Sequence, residues 1–196
     1  MRRAGASLAR RIDLLSRRPA HVKMDGKFPK HAAARDLLEN HMPLKDGIPA
    51  PDFELPDETG APQKLSAYRG RPVLLYFYPK DDTPGCTREA CNFRDDYSAY
   101  EKAGVVILGV SADSPRSHAK FKAKYQLPFS LLADEERRVC QLYEVLGKKK
   151  FMGREYEGVL RTTFLIDAQG TIARVFANVR PSEHSAEVLE ALRSLP

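Results

Sequence analysis

Three cysteines in 196 residues are too few for a disulfide-stapled secreted scaffold, which would carry more of them in a shorter chain. Long apolar runs are missing as well. The longest, Val73-Leu74-Leu75-Tyr76-Phe77-Tyr78, falls far short of the ~20 residues a membrane span needs. Nor is there a Cys/His cluster at metal spacing: Cys86 and Cys91 make a Cys-x4-Cys pair, but zinc would need two further ligands. His21, His31 and His41 lie near the N-terminus, and His118 and His184 stand alone in helical stretches. All five are expected to be ordinary surface residues, and no metal site is implied.

What is present is a globular balance, 42% hydrophobic and 30% charged, at a length suited to one domain or at most two. The formal charge of +6 suggests nucleic acid until it is located. Residues 1–45 hold 11 of the 32 basic side chains and 4 of the 26 acidic ones, a net +7 that leaves the other 151 residues at −1. The basicity therefore belongs to an N-terminal segment. A module that binds nucleic acid or an anionic membrane would interleave basic and aromatic side chains on its folded domain, and this balance argues against that.

Residues 1–42 read as a basic extension set apart from a compact domain over 43–196. Paired arginines (Arg2-Arg3, Arg10-Arg11, Arg17-Arg18) flank Leu8, Ile12 and Leu15, which recur at helical spacing. The arginines interrupt the apolar core that a secretory signal requires. A flexible extension, a transit peptide and an interaction arm all fit this composition.

Beyond Pro43 the pattern is that of an α/β domain. The continuous apolar run 73–78 predicts a strand covered on both faces. Pro79 through Gly85 forms a loop, a helix follows to about Lys102, stopped by Gly104, and a second buried strand spans 105–110. Pro115 opens another helix with Phe121 and Tyr125 on one face. A short strand at 131–133 and a short helix over 135–143 come next. Thr162–Asp167 and Thr171–Ala177 form a hairpin around Ala168-Gln169-Gly170, and a last helix runs from about Ser182 to Leu195. This order builds a mixed central sheet with helices on both sides.

The chemistry is concentrated in Tyr78-Pro79-Lys80-Asp81-Asp82-Thr83-Pro84-Gly85-Cys86-Thr87-Arg88-Glu89-Ala90-Cys91. It joins the C-terminal end of a buried strand to a helix, where open α/β sheets bind their ligands. Thr83 suits the N-cap and Pro84 the first helical position, which puts Cys86 in the first turn. The helix dipole and unpaired N–H groups there favour a thiolate. The competing reading of Cys86 is a small buried apolar residue, as most free cysteines are. Cys140, on its own short helix, is expected to be just that.

Pro79-x-x-x-Thr83-x-x-Cys86 resembles the active-site signature of the peroxiredoxins. The longer Asp82-Thr83-Pro84-Gly85-Cys86-Thr87-x-Glu89-Ala90-Cys91 resembles their peroxiredoxin Q, or bacterioferritin comigratory protein, branch. Gly47-x-x-Ala50-Pro51-x-Phe53 and Arg161-Thr162-Thr163-Phe164-Leu165-Ile166-Asp167 extend the resemblance over roughly residues 44–195. It implies a thioredoxin-like fold and a peroxidase without metal or organic cofactor. Cys86 would be the peroxidatic nucleophile, with Thr83 holding the peroxide and Pro79 sheltering the site. Arg161 would supply a fixed positive charge, with Glu89 as a supporting carboxylate that orients it. Cys91 would be the resolving cysteine, forming an intramolecular disulfide that thioredoxin reduces. A monomer, acting on hydrogen peroxide or organic hydroperoxides and independent of nucleic acid and membrane, is the accompanying expectation. The expected compartment is a bacterial cytoplasm, or a plastid-like organelle if residues 1–42 are a transit peptide. A thiol–disulfide oxidoreductase on the same fold would normally read Cys-x-x-Cys, whereas four residues separate this pair.

Overall fold

The computed structural model describes residues 44–151 and 154–194. The arginine-paired segment, its amphipathic stretch, the proposed boundary at residue 42 and the last residues of the final helix lie outside them.

The domain opens with a small antiparallel pair, β1 (Glu54–Pro56) and β2 (Pro62–Lys64), and one 3-10 turn, Leu65–Tyr68. There follow β3 (Val73–Phe77), α1 (Pro84–Asp95), α2 (Tyr97–Lys102) and β4 (Val106–Ser111). Next come α3 (Pro115–Tyr125), β5 (Ser130–Ala133) and α4 (Arg138–Leu142). A two-stranded hairpin, β6 (Leu146–Phe151) and β7 (Arg154–Val159), precedes β8 (Thr162–Ile166), β9 (Ile172–Ala177) and α5 (His184–Leu192). The central sheet runs β5-β4-β3-β8-β9. β3, β4 and β5 are parallel, while β8 pairs antiparallel with both β3 and β9.

The alternation of side chains along a strand explains the unbroken apolar run of β3. Val73, Leu75 and Phe77 enter one core with Leu108, Val110, Leu132 and Phe164, closed by Phe53, Leu65 and Val139 and Tyr143 from the α4 region. Leu74, Tyr76 and Tyr78 enter the other, under Cys86, Ala90 and Phe93 of α1, Tyr100 of α2, Phe121 of α3 and Val188 of α5. A mixed sheet between helical layers is therefore realised. Both halves of the core need β3 to be apolar throughout.

Two expectations require correction, and one hairpin has no counterpart among them. The single helix expected after the loop and up to about Lys102 is two helices, broken at Asp96 (φ −92°, ψ 5°). The Asp96 carboxylate accepts the Ser185 hydroxyl at 2.6 Å, and Tyr100 donates to the Ser185 carbonyl at 3.0 Å, so the junction is tied to α5. The β6–β7 hairpin was not foreseen at all. His118 and His184 are not surface residues, since both are fully buried. The His184 ring lies edge-on between Phe93 and Phe176 and reaches the Thr163 hydroxyl at 2.8 Å. Burial first, then the nearby Arg161 charge, holds it down to about 3, so it is a neutral core residue. His118 is treated below. The other three histidines lie outside the described residues.

Among the described residues, no helix is long and apolar enough to cross a membrane.

Candidate active site

The antiparallel pairing of β8 with β3 sets the geometry of the site. Thr162 lies opposite Phe77, so the residue that enters β8 comes alongside the end of β3, where the chain turns into α1. That residue is Arg161. Its Nη2 donates to the Cys86 sulfur at 3.3 Å, across 75 positions of sequence, and its Nη1 donates to Glu89 Oε2. Gly85 gives the guanidinium its room: a Cβ there would lie 3.3 Å from Nη2. Cys86 is 2% exposed and Glu89 1%.

Thr83 occupies the N-cap position with extended backbone, and Pro84 opens α1 as expected. Its side chain, however, does not cap. The hydroxyl donates instead to the Lys80 carbonyl at 3.1 Å. It thus remains on the loop side of the helix, half-buried beside Pro79, and both residues line a cleft of about 580 Å³. Cys86, Arg161 and Glu89 are in direct contact, whereas Thr83 and Pro79 line the cleft from the loop that leads into α1, and the other three do not line it.

The charges in this place are unevenly matched. Burial pushes the Glu89 carboxyl up to about 7, and Arg161 only partly opposes that rise. One carboxyl oxygen, Oε1, is buried without a hydrogen-bond partner among the described residues. Burial pulls the Arg161 guanidinium down, but the charges of Glu89 and Cys86 together leave it raised. A single permanent cation therefore serves a sulfur on one side and a carboxyl on the other.

The AhpC/TSA family model matches residues 47–175, which contain every one of these side chains. The chain belongs to that family. The putative peroxiredoxin bcp of Coxiella burnetii is 50% identical over 151 residues, 77% of this chain and 100% of that one. Among solved structures, Xanthomonas campestris Peroxiredoxin Q is 37% identical at a TM-score of 0.69, covering 72% of this chain and 90% of that one. The same shares and TM-score hold, at 36% identity, for the bacterioferritin comigratory protein of that organism, studied for its alkyl peroxide reduction activity. These relatives set this AhpC/TSA member in the peroxiredoxin Q branch, on a thioredoxin-like α/β fold. It is a thiol-dependent peroxidase, an oxidoreductase that uses a peroxide substrate and a thiol reductant.

Cys91 of this peroxiredoxin sits on the same helix as Cys86, half-buried, and both thiols are free. Five residues of ideal α-helix separate two Cα atoms by about 8.7 Å, beyond the ~7 Å that a disulfide spans without backbone movement. α1 is also pinned from outside: Asn92 donates to the Pro181 carbonyl at 2.8 Å and Arg94 to the Tyr125 carbonyl at 2.8 Å. Cys140 is fully buried on α4, with its thiol pushed up by burial and by Asp134, and takes no part in the site.

Two contributors escaped the sequence reading. The β6–β7 hairpin walls the cleft through Lys149, Tyr156 and Val159. Half-buried Lys149 donates to the Val159 carbonyl, and its ammonium is lowered by burial first and then by Arg161, with Cys86 opposing. Within the run Lys148-Lys149-Lys150 nothing marks the middle lysine. The second contributor is the loop anchor at Asp81, which the family signature leaves as an unspecified position.

Proposed function

We propose that Cys86 is the peroxidatic cysteine and that the remaining site residues act on the peroxide held against it. The observation that carries this reading is the Arg161 guanidinium on the Cys86 sulfur at 3.3 Å, in the first turn of α1. The Cys86 thiolate attacks the terminal oxygen of a hydroperoxide. A sulfur–oxygen bond forms, the oxygen–oxygen bond breaks, and the departing alkoxide or hydroxide takes up a proton. The products are a sulfenic acid and an alcohol or water. Negative charge moves from sulfur onto the two oxygens, so donors fixed in advance are the effective catalysts. Arg161 is such a donor and keeps its proton throughout. The Thr83 hydroxyl orients the peroxide and Pro79 keeps water from the sulfur, while Glu89 fixes the guanidinium.

Cys91 then condenses with the sulfenic acid, releasing water and leaving a Cys86–Cys91 disulfide. A thioredoxin dithiol reduces it by exchange through a mixed disulfide. The fully buried Cys140 is a poor alternative resolving thiol. Organic hydroperoxides join hydrogen peroxide as substrates, in keeping with the open cleft beside Thr83 and with the alkyl peroxide reduction activity of the Xanthomonas campestris relative. A monomer in a reducing compartment, a bacterial cytoplasm, completes the reading.

The test is peroxide consumption coupled to thioredoxin, thioredoxin reductase and NADPH. Cys86→Ser should abolish turnover. Cys91→Ser should consume one equivalent of peroxide and then stall. Turnover at the wild-type rate in Cys86→Ser would remove Cys86 from the reaction.

A further inference from the structure

The loop between β3 and α1 carries two consecutive aspartates, and both are held by α3 rather than by the helix that bears Cys86. Asp81 is buried. Its Oδ1 accepts the Tyr78 hydroxyl at 2.7 Å and its Oδ2 the Ser117 hydroxyl at 2.7 Å. The fully buried His118 places Nδ1 at 2.9 Å from Oδ2, and Nε2 at 3.1 Å from the Leu132 carbonyl. Both ring nitrogens thus have oxygen partners, and Nδ1 also lies 3.3 Å from the Tyr78 hydroxyl. The Asp81 backbone N–H donates to Asp113 at 2.8 Å, and Asp113 is itself fixed by the Ser111 hydroxyl at 2.7 Å. Asp82 adopts φ +55°, a conformation costly for a residue with a Cβ. Its carboxylate accepts from Lys124 at 2.7 Å and from the Tyr125 hydroxyl at 2.6 Å. The first and last turns of α3 therefore grip adjacent residues of one loop.

We propose that Asp81 and His118 are positioning residues for the peroxide reaction, a buried pair through which α3 sets the loop that presents Pro79 and Thr83. The proposal rests on the peroxidase reading above and adds to it residues that touch neither sulfur nor peroxide. Two physical arguments support it. Burying two polar side chains costs desolvation that their hydrogen bonds do little more than offset, so fold stability alone does not account for them. In addition, Cys86 and Cys91 cannot join while both are helical, so α1 must open in each cycle. A loop anchored on α1 would be lost at that step. Anchored on α3, residues 79–83 keep their shape while α1 unwinds and re-forms.

The test compares wild type, Asp81→Asn and the paired replacement Asp81→Leu/His118→Leu. Three quantities are measured: the second-order rate of Cys86 oxidation by hydrogen peroxide, the titration of the Cys86 thiol, and the urea midpoint. Asp81→Asn should slow oxidation at least tenfold in folded protein and leave the thiol titration unmoved. The apolar pair should recover the urea midpoint and stay slow. Rates within twofold of wild type in the folded variants, or a rate that recovers together with the midpoint, would overturn the positioning role. So would a moved thiol titration, because the effect would then act through the sulfur. If Asp81→Asn does not fold, the apolar pair decides alone. A wild-type protein inert to peroxide would overturn the peroxidase reading and the positioning role with it.

Discussion

Replacing Glu89 with Gln would separate the two forces that act on this carboxyl. Burial raises it and Arg161 lowers it, and burial prevails, leaving it at about 7 against an ordinary 4.5. A carboxyl raised in the folded state holds a proton that the unfolded chain has already released between those two values. Its stabilising contribution is therefore full below about pH 4.5 and is lost as the pH rises through 7. At about 1.36 kcal/mol for each pH unit, the loss between pH 4.5 and 8 comes to about 3 kcal/mol. Gln has nearly the same shape and does not titrate. His184, held down to about 3, acts in the opposite sense, withdrawing stability as the pH falls from 6.5 towards 3. It is common to both proteins and cancels in their difference. Urea unfolding of the reduced proteins at pH 4.5 and 8 is the assay. Relative to wild type, Glu89→Gln should gain about 3 kcal/mol between the two conditions, on the order of 1 to 3 M in midpoint. No change, or a change of opposite sign, would mean that Arg161 keeps the carboxylate ionised and that burial is not the dominant force.

Arg161→Lys keeps the charge but loses the planar fork that reaches Cys86 and Glu89 together, and Thr83→Val loses the hydroxyl. Both should slow Cys86 oxidation in stopped flow by at least tenfold, with Thr83→Ser mild; unchanged rates would remove both residues from the mechanism. Oxidation to the Cys86–Cys91 disulfide should lower helix content and raise amide hydrogen exchange across residues 84–95, with reversal by dithiothreitol. A disulfide-bonded form with unchanged circular dichroism and exchange would exclude the unwinding step.

The parts of the fold that were legible are those whose own residues carry the signal. β3 announces burial on both faces by lacking a polar position, and the β8–β9 hairpin announces itself by Asp167, Gly170 and the apolar runs on either side. Gly170 sits at φ +85°, with the Arg69 side chain where a Cβ would be. β6 and β7 give no such signal. Their pairing sets exposed Lys148 opposite exposed Glu157, a cross-strand charge match that looks like ordinary surface until the register is known. The break at Asp96 was hidden for a related reason. Helical spacing continues from Phe93 to Tyr97 and Tyr100, and the residue that ends α1 is recognised through its bond to Ser185, 89 positions away.

The same division runs through the site. Thr83, Pro84 and Cys86 could be placed by local rules because an N-cap position, a first-turn proline and a first-turn thiol lie within four residues, although the Thr83 side chain turns to the Lys80 carbonyl rather than capping. Arg161 could not be read locally, since nothing near it distinguishes it from the other arginines, and only the family resemblance pointed to it. His118 and Asp81 had neither help. A lone histidine on a helix and an aspartate in a loop each look solvated, because their burial is a property of the pair and of the Tyr78, Ser117 and Leu132 groups around it. The local signals therefore single out the thiol proposed to react. What holds its partners in place is set by α3 and by the entry to β8, segments that meet the loop only once the sheet has formed. Substitutions at Asp81 or His118 accordingly test the tertiary half of the site, which the motif around Cys86 does not contain.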